Sequence, residues 1–255
     1  MGTIVGSIDL TQVVLYGFWI FFAGLILYLR REDKREGYPL ESDIPERRNQ
    51  VRMVGFPDMP EPKSFQLSNG HLHHAPHSRP ERANLAAEPI GNWPGAPLEP
   101  TGNPMLDGIG PAAWAEREDV PEMTLDGRPV IVPMRVDETF SVAVEDADPR
   151  GMDVYGADGV VAGQVTDLWV DRAEPQIRFL EIAVAGRPVL VPINFTRIDA
   201  DRRRIRVSAI LSEQFAQVPP TASRDQITKL EEDKIAGYYA GGTLYATPQR
   251  LGPLL

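Results

Sequence analysis

The longest apolar stretch lies near the N-terminus, where Leu10 to Leu29 gives 20 residues without a formal charge. A helix rising 1.5 Å per residue covers about 30 Å over that length, one hydrocarbon thickness. The core helix of a soluble protein would carry a polar stripe, and Val13 to Leu29 is apolar on every face. The pattern therefore favours a membrane span over residues 11–30, preceded by a short segment, residues 1–10. A cleaved signal peptide would need basic residues ahead of the run, yet only Asp9 is charged there and Arg30 follows directly, so the span is expected to be retained. Prolines then recur from Pro39 to Pro129, too densely for long helices. Residues 31–133 are predicted to be extended or irregular, lying against another surface through Phe56, Phe65, Trp93, Met105 and Trp114.

Beyond Pro133 the pattern changes to short strand-like runs. Thr139–Val144, Met152–Tyr155, Val160–Val170, Ile177–Val184, Val189–Phe195 and Arg204–Ile210 are separated by turn signals such as Asp158-Gly159, Ala185-Gly186-Arg187-Pro188 and Asp199-Ala200-Asp201-Arg202. They predict an antiparallel meander over residues 134–220, closed into a small barrel so that no edge is left exposed. Ser223 with Gln226 reads as a capping box, Ile227, Leu230, Ile235 and Tyr238 as a helical stripe, and Gly241-Gly242 as a stop. Residues 221–255 are thus one C-terminal helix and a tail. The expected fold class is a single N-terminal transmembrane helix joined to a mainly β domain.

Charge gives the span a direction. Arg30, Arg31, Lys34 and Arg35 follow it and no Lys or Arg precedes it, which places the N-terminus outside and the main domain in the cytoplasm. The same four residues can hold anionic lipid head groups, with Tyr16 and Tyr28 in the interfacial zones. Gly17 and Gly24 would let another transmembrane helix approach closely. A net charge of −10 over 255 residues argues against a nucleic-acid partner, and without cysteine the chain has no disulfide, thiol nucleophile or Cys-based metal site.

Four histidines cluster at His71, His73, His74 and His77, and an extended backbone would put His71 and His73 on one face, as a metal site could use. Metal-ligating histidines usually have a carboxylate behind them, and none comes before Glu81, so a surface loop is the favoured reading. The span contains no histidine to ligate a pigment magnesium or haem iron. No phosphate-binding loop or nucleophile elbow is present, which speaks against an autonomous enzyme. Asp167, Asp171, Glu174 and Glu181 around Leu168-Trp169-Val170 could gather protons. An ordinary solvated strand end is the preferred reading of that group, as an exposed helix face is for Glu231, Glu232 and Asp233.

Arg30-Arg31-Glu32-Asp33-Lys34-Arg35-Glu36-Gly37-Tyr38-Pro39-Leu40 after a single span, Thr101-Gly102-Asn103-Pro104-Met105 and Gly108-Ile109-Gly110-Pro111-Ala112 together resemble the H subunit of the photosynthetic reaction centre of purple bacteria. The likeness continues through Ile131-Val132-Pro133-Met134, Asp148-Pro149-Arg150-Gly151, Asp167-Leu168-Trp169-Val170-Asp171, Leu230-Glu231-Glu232-Asp233-Lys234, Tyr239-Ala240-Gly241-Gly242 and Leu244-Tyr245-Ala246, and is thinnest around residues 41–95. It implies a PRC-type β-barrel capping the quinone end of the L and M subunits and supplying protons to the secondary quinone. Glu174 matches the proton-network glutamate, with Asp171 and Arg178 in supporting electrostatic roles. Where well-studied relatives carry a histidine pair at the proton entrance, this chain has Asp126 and Arg128. Asp126 can take up protons and a guanidinium cannot. The resemblance implies no cofactor bound directly by this chain: bacteriochlorophyll, bacteriopheophytin, quinones and non-haem iron belong to partner subunits. A cytochrome subunit, the light-harvesting antenna and lipids of the chromatophore membrane complete the expected surroundings. Two other functions compete with this one, a membrane-tethered PRC-barrel adaptor for another cytoplasmic protein and a metal sensor built on the histidine loop.

Overall fold

The structure, a computed structural model, describes residues 3–5, 8–40, 53–67, 70–76, 85–93 and 95–251. The chain forms two compact units, residues 1–83 with 91–97, and residues 84–90 with 98–255.

The first unit opens with paired strands β1 (Thr3–Val5) and β2 (Ile8–Asp9), and continues into helix α1 (Leu10–Glu32). Asp9 caps the helix by accepting from the Thr11 amide at 3.1 Å. Arg30 and Arg31 occupy the last turn, where cations complement the helix dipole. No side chain of α1 is buried, and the helix is long and apolar enough to cross a membrane. A single turn of 3₁₀ helix, Asp33–Arg35, ends it. Strands β3 (Lys63–Gln66) and β4 (Leu72–Ala75) then form an antiparallel hairpin.

The second unit is entered through another small hairpin, β5 (Ala87–Pro89) with β6 (Leu98–Pro100). The one-turn helix α2 (Pro104–Asp107) is capped by the Asn103 side chain and closed by Gly108, whose φ of 65° suits glycine. Seven strands follow: β7 (Ile131–Pro133), β8 (Asp153–Tyr155), β9 (Val161–Asp171), β10 (Gln176–Val184), β11 (Arg187–Pro192), β12 (Thr196–Asp199) and β13 (Arg204–Val207). They make one sheet in the order β11-β10-β9-β8-β13-β12, with β7 also on β9. The sheet is curled into a half-barrel, as the alternation of short strands predicts. Leu168, Leu180, Ile182, Val154 and Ile205 fill its core, and consecutive burial of Leu168, Trp169 and Val170 shows that this end of β9 is covered on both faces.

Several expectations need correction. Among the described residues the sheet is not closed by hydrogen bonds, since β11 and β12 are its two ends, and it is not a pure antiparallel meander, because β13 pairs with β8 in parallel. Thr139–Val144 is irregular instead of a strand: it begins in a turn where Asp137 accepts from both the Thr139 amide and hydroxyl.

The C-terminal helix α3 runs Lys229–Tyr245. Its capping box is Thr228 with Glu231, both reciprocal bonds being made, whereas the Ser223 hydroxyl accepts from the Asp225 amide in a local turn. Gly241 and Gly242 lie inside the helix and do not stop it. A Cβ on Gly241 would fall 2.5 Å from the Ala112 methyl, and one on Gly242 would fall 2.6 Å from the Ala209 carbonyl oxygen. Their purpose is close packing. Tyr239 beside them stacks on Phe195 and donates to the Leu190 carbonyl at 3.2 Å.

Candidate functional site

The β9–β10 turn gathers three of the predicted residues. Asp171, the last residue of β9, is buried, and its Oδ1 accepts from the amides of Ala173 at 2.8 Å and Glu174 at 3.0 Å. It fixes the turn and with it the position of Glu174. Glu174 is exposed at the tip, where its carboxylate accepts from the Gln176 amide group at 3.1 Å. Two residues further, Arg178 reaches across to α3 and donates to Glu232 at 2.9 Å. The bond to Glu232 holds the guanidinium pKa above its ordinary value against the opposing effect of burial, and the fields of Asp171 and Glu174 add to it. Three carboxylates thus surround one permanent cation: one buried on amides, one in an ion pair, and one, Glu174, open to water.

Asp126 stands apart. It occupies the tip of a hairpin turn in which the Thr124 amide donates to the Arg128 carbonyl and the Thr124 carbonyl accepts from the Gly127 amide, and it faces Arg128 at 3.5 Å with both side chains exposed. No hydrogen bond or ion pair among the described residues joins it to Glu174. The base of that hairpin is nevertheless tied to the site's own strand. Arg172, next to Asp171, donates to the Pro129 carbonyl at 2.9 Å and to Asp137 at 2.6 Å. Hydrogen bonds from Thr139 and then Arg172 bring the Asp137 pKa down to about 2.

The basic group after α1 divides. Arg30 and Arg31 are exposed, and Arg30 lies 3.5 Å from Asp33. Lys34, expected at lipid head groups, is buried instead. Its ammonium donates to the carbonyls of Val54 at 2.6 Å, Gly55 at 2.9 Å and Pro57, and sits 5.4 Å from the Tyr38 ring centre. Arg35 pairs with Glu32 and donates to the carbonyls of Glu61 and Ala75, each at 2.8 Å. Of the histidines, His74 shares a hydrogen bond of 2.8 Å with Ser64, and His73 lies opposite Phe65. Among the described residues no group of three or more histidines and carboxylates is assembled for a metal; His77 lies outside those residues.

One network escaped the sequence reading. Asp167 and Glu181 are not solvated: register sets them directly opposite each other on β9 and β10, and both are buried. A single nitrogen of Arg135 bridges them at 2.9 Å each, and the Trp169 indole donates to Glu181 at 2.9 Å. Arg135 also reaches the Arg224 carbonyl, beside a cleft of about 820 Å³. The available signal was two acids on facing strands needing a cation, which is readable only once the register is known. The acids of α3 are likewise engaged: Glu231 closes the capping box, Glu232 holds Arg178, and Asp233 pairs with Arg117 at 3.3 Å.

Comparison with protein families agrees with this geometry. Residues 141–214 match the PRC-barrel domain, which takes in β8 to β13 of the curled sheet and leaves β7 outside. Residues 2–136, more than half of the chain, match the photosynthetic reaction centre H-chain N-terminal region. Proteins of that family are structural subunits that associate with other reaction-centre subunits, and α1 fits the anchor of such a subunit in a membrane. The chain belongs to the photosynthetic reaction centre H-chain family.

Proposed function

We propose that this chain caps the quinone side of the L and M subunits, steadies the complex, and conducts protons to the secondary quinone during light-driven electron transfer. The observation that carries this reading is the group of Glu174, Asp171 and Arg178 at one turn of the PRC-barrel domain, joined by Glu232 from α3, in a chain of the H-chain family. Reduction of a quinone to a quinol takes up two protons with two electrons, so a cap that excludes water must also deliver protons. Glu174, exposed and carried on a rigid turn, takes a proton from bulk water and passes it on. Arg178 supplies the one cation among these carboxylates and, through its bond to Glu232, ties the turn to α3. Asp171, held by two amides, positions the turn.

In this reading the N-terminus is periplasmic and the domain cytoplasmic, in the bacterial inner membrane, because the cations Arg30 and Arg31 follow the span. Bacteriochlorophyll, bacteriopheophytin, quinones and iron reside in the partner subunits, since α1 presents no imidazole. Protease added to inside-out vesicles should trim the segment after Arg35, and right-side-out spheroplasts should protect it; cutting only from the outer face would reverse the orientation.

Glu174→Gln keeps the shape and removes the titration. Flash kinetics should show the second electron transfer slowed on the order of tenfold, with primary charge separation unchanged. An unaltered second-electron rate and pH dependence would remove Glu174 from the route and move attention to Asp126.

A further inference from the structure

The solvent face of β12, β13 and β8 carries two neighbouring rungs of opposite character. In one, Arg204 stands in register between Asp199 and Asp153, and Asp199 accepts from Arg204 at 3.3 Å and from Arg202 at 3.5 Å. In the next, Arg197 is directly opposite Arg206, and Arg206 is level with Tyr155. Residues opposed on antiparallel strands share a face with Cβ atoms about 5 Å apart, so the two guanidiniums repel each other there. Ile205, Val207 and Val154 between them are buried, which confirms that the arginine rung faces outward.

Among the described residues no carboxylate pairs with Arg197 or Arg206, in a chain whose net charge is −10. Both line a cleft of about 810 Å³ together with Tyr155 and Ser208. Two of the acids in its wall are already committed: Asp158 accepts from the amide and hydroxyl of Ser212, and Asp199 holds Arg202 and Arg204. Asp201 sits on the turn beyond.

The geometry points to a binding site for a phosphate-bearing anion on this rung, away from the turn that carries Glu174. Guanidinium is the group best suited to it, because its planar fork gives parallel N–H bonds to two oxygens of one phosphate. Two forks side by side answer a multiply charged oxyanion, and the hydroxyls of Tyr155 and Ser208 offer neutral donors at the wall. Occupation would convert the repulsive rung into a bridged one.

The phosphate could belong to a soluble anion or to a lipid head group, and the test separates them. Equilibrium dialysis of the full chain in detergent, with its co-purifying subunits, against labelled inorganic phosphate and pyrophosphate reads the soluble source. Phosphorus retained after equilibration with phosphatidylglycerol micelles, compared with phosphatidylcholine micelles, reads the lipid source. One arm should give saturable binding near one per chain, weakened about 30-fold in R197Q with R206Q, which removes two charge-assisted contacts. R128Q, which removes a charge elsewhere, should leave it unchanged. R197K with R206K keeps the charge without the forks and should fall between. Absence of saturable binding in both arms overturns the site, as does equal loss in R128Q or full affinity in the double lysine variant.

Discussion

In the sheet unit Leu168, Leu180, Ile182 and Ile205 are wholly excluded from water, whereas in the α1 unit no leucine, isoleucine, valine, methionine or aromatic side chain among the described residues is buried. What that unit buries among the described residues is Pro60 and the cation of Lys34, the latter on backbone carbonyls. The sheet unit thus carries its own apolar driving force. The α1 unit has polar staples and an uncovered apolar helix, so its order depends on what surrounds it, a lipid or a partner subunit.

Substitutions should separate the two regimes. The largest effect belongs to Leu180→Ala, at a residue fully buried between β9 and β11, which should cost about 3 kcal/mol in denaturant unfolding of the sheet unit. A loss below about 1 kcal/mol would mean that the core is loosely packed. Next comes Arg172→Gln, which takes one of two side-chain donors from Asp137 while leaving Thr139. The folded pKa of Asp137, about 2, lies below its ordinary 3.8. Its contribution is therefore complete above about pH 4 and lost as pH falls through 2. The variant should be less stable at neutral pH and show a shallower acid limb; an acid limb like that of the parent would exclude Asp137 as its source.

The smallest effect on global stability is expected from Lys34→Met. The carbonyls of Val54, Gly55 and Pro57 lose their shared donor, so hydrogen exchange and proteolysis at residues 53–57 should speed up about tenfold, with unfolding of the sheet unit unchanged. A drop in sheet stability of the same size would show that the two units are not energetically separate.

Much of this fold was legible because its signals are local. Twenty uncharged residues predict α1, and alternating strands with Asp-Gly or Gly-Arg-Pro turns predict β8 to β10 within one residue at each end, while the run read as Val189–Phe195 is β11 only to Pro192 and then a 3₁₀ turn. The errors arise where a local signal has two solutions. Ser223 and Thr228 both offer a hydroxyl with a partner three residues on, and only Thr228 has Glu231 to answer its amide. Gly241-Gly242 has the composition of a stop, but tertiary contact with Ala112 and Ala209 decides its role. The site divides in the same way. Asp171, Glu174 and Arg178 are close in sequence and the family resemblance names them together, whereas Glu232 on Arg178 and Arg135 on Asp167 and Glu181 join residues 54, 32 and 46 apart. Position alone points Lys34 to lipid, since nothing local reveals carbonyls 20 to 23 residues away.

Ala112 lies within the H-chain match, Ala209 within the PRC-barrel match, and the glycines of α3 that touch both lie beyond either. Inheritance and folding therefore draw different boundaries on this chain. A gene fragment cut at residues 141 and 214 would encode the recurrent module, yet strip away Ile235, Tyr238 and Tyr239, which are buried in its core cluster. Exchanging that module with a relative's would require α3 and the Gly110–Ala112 turn to travel with it, because contacts this close leave no room for even one mismatched methyl.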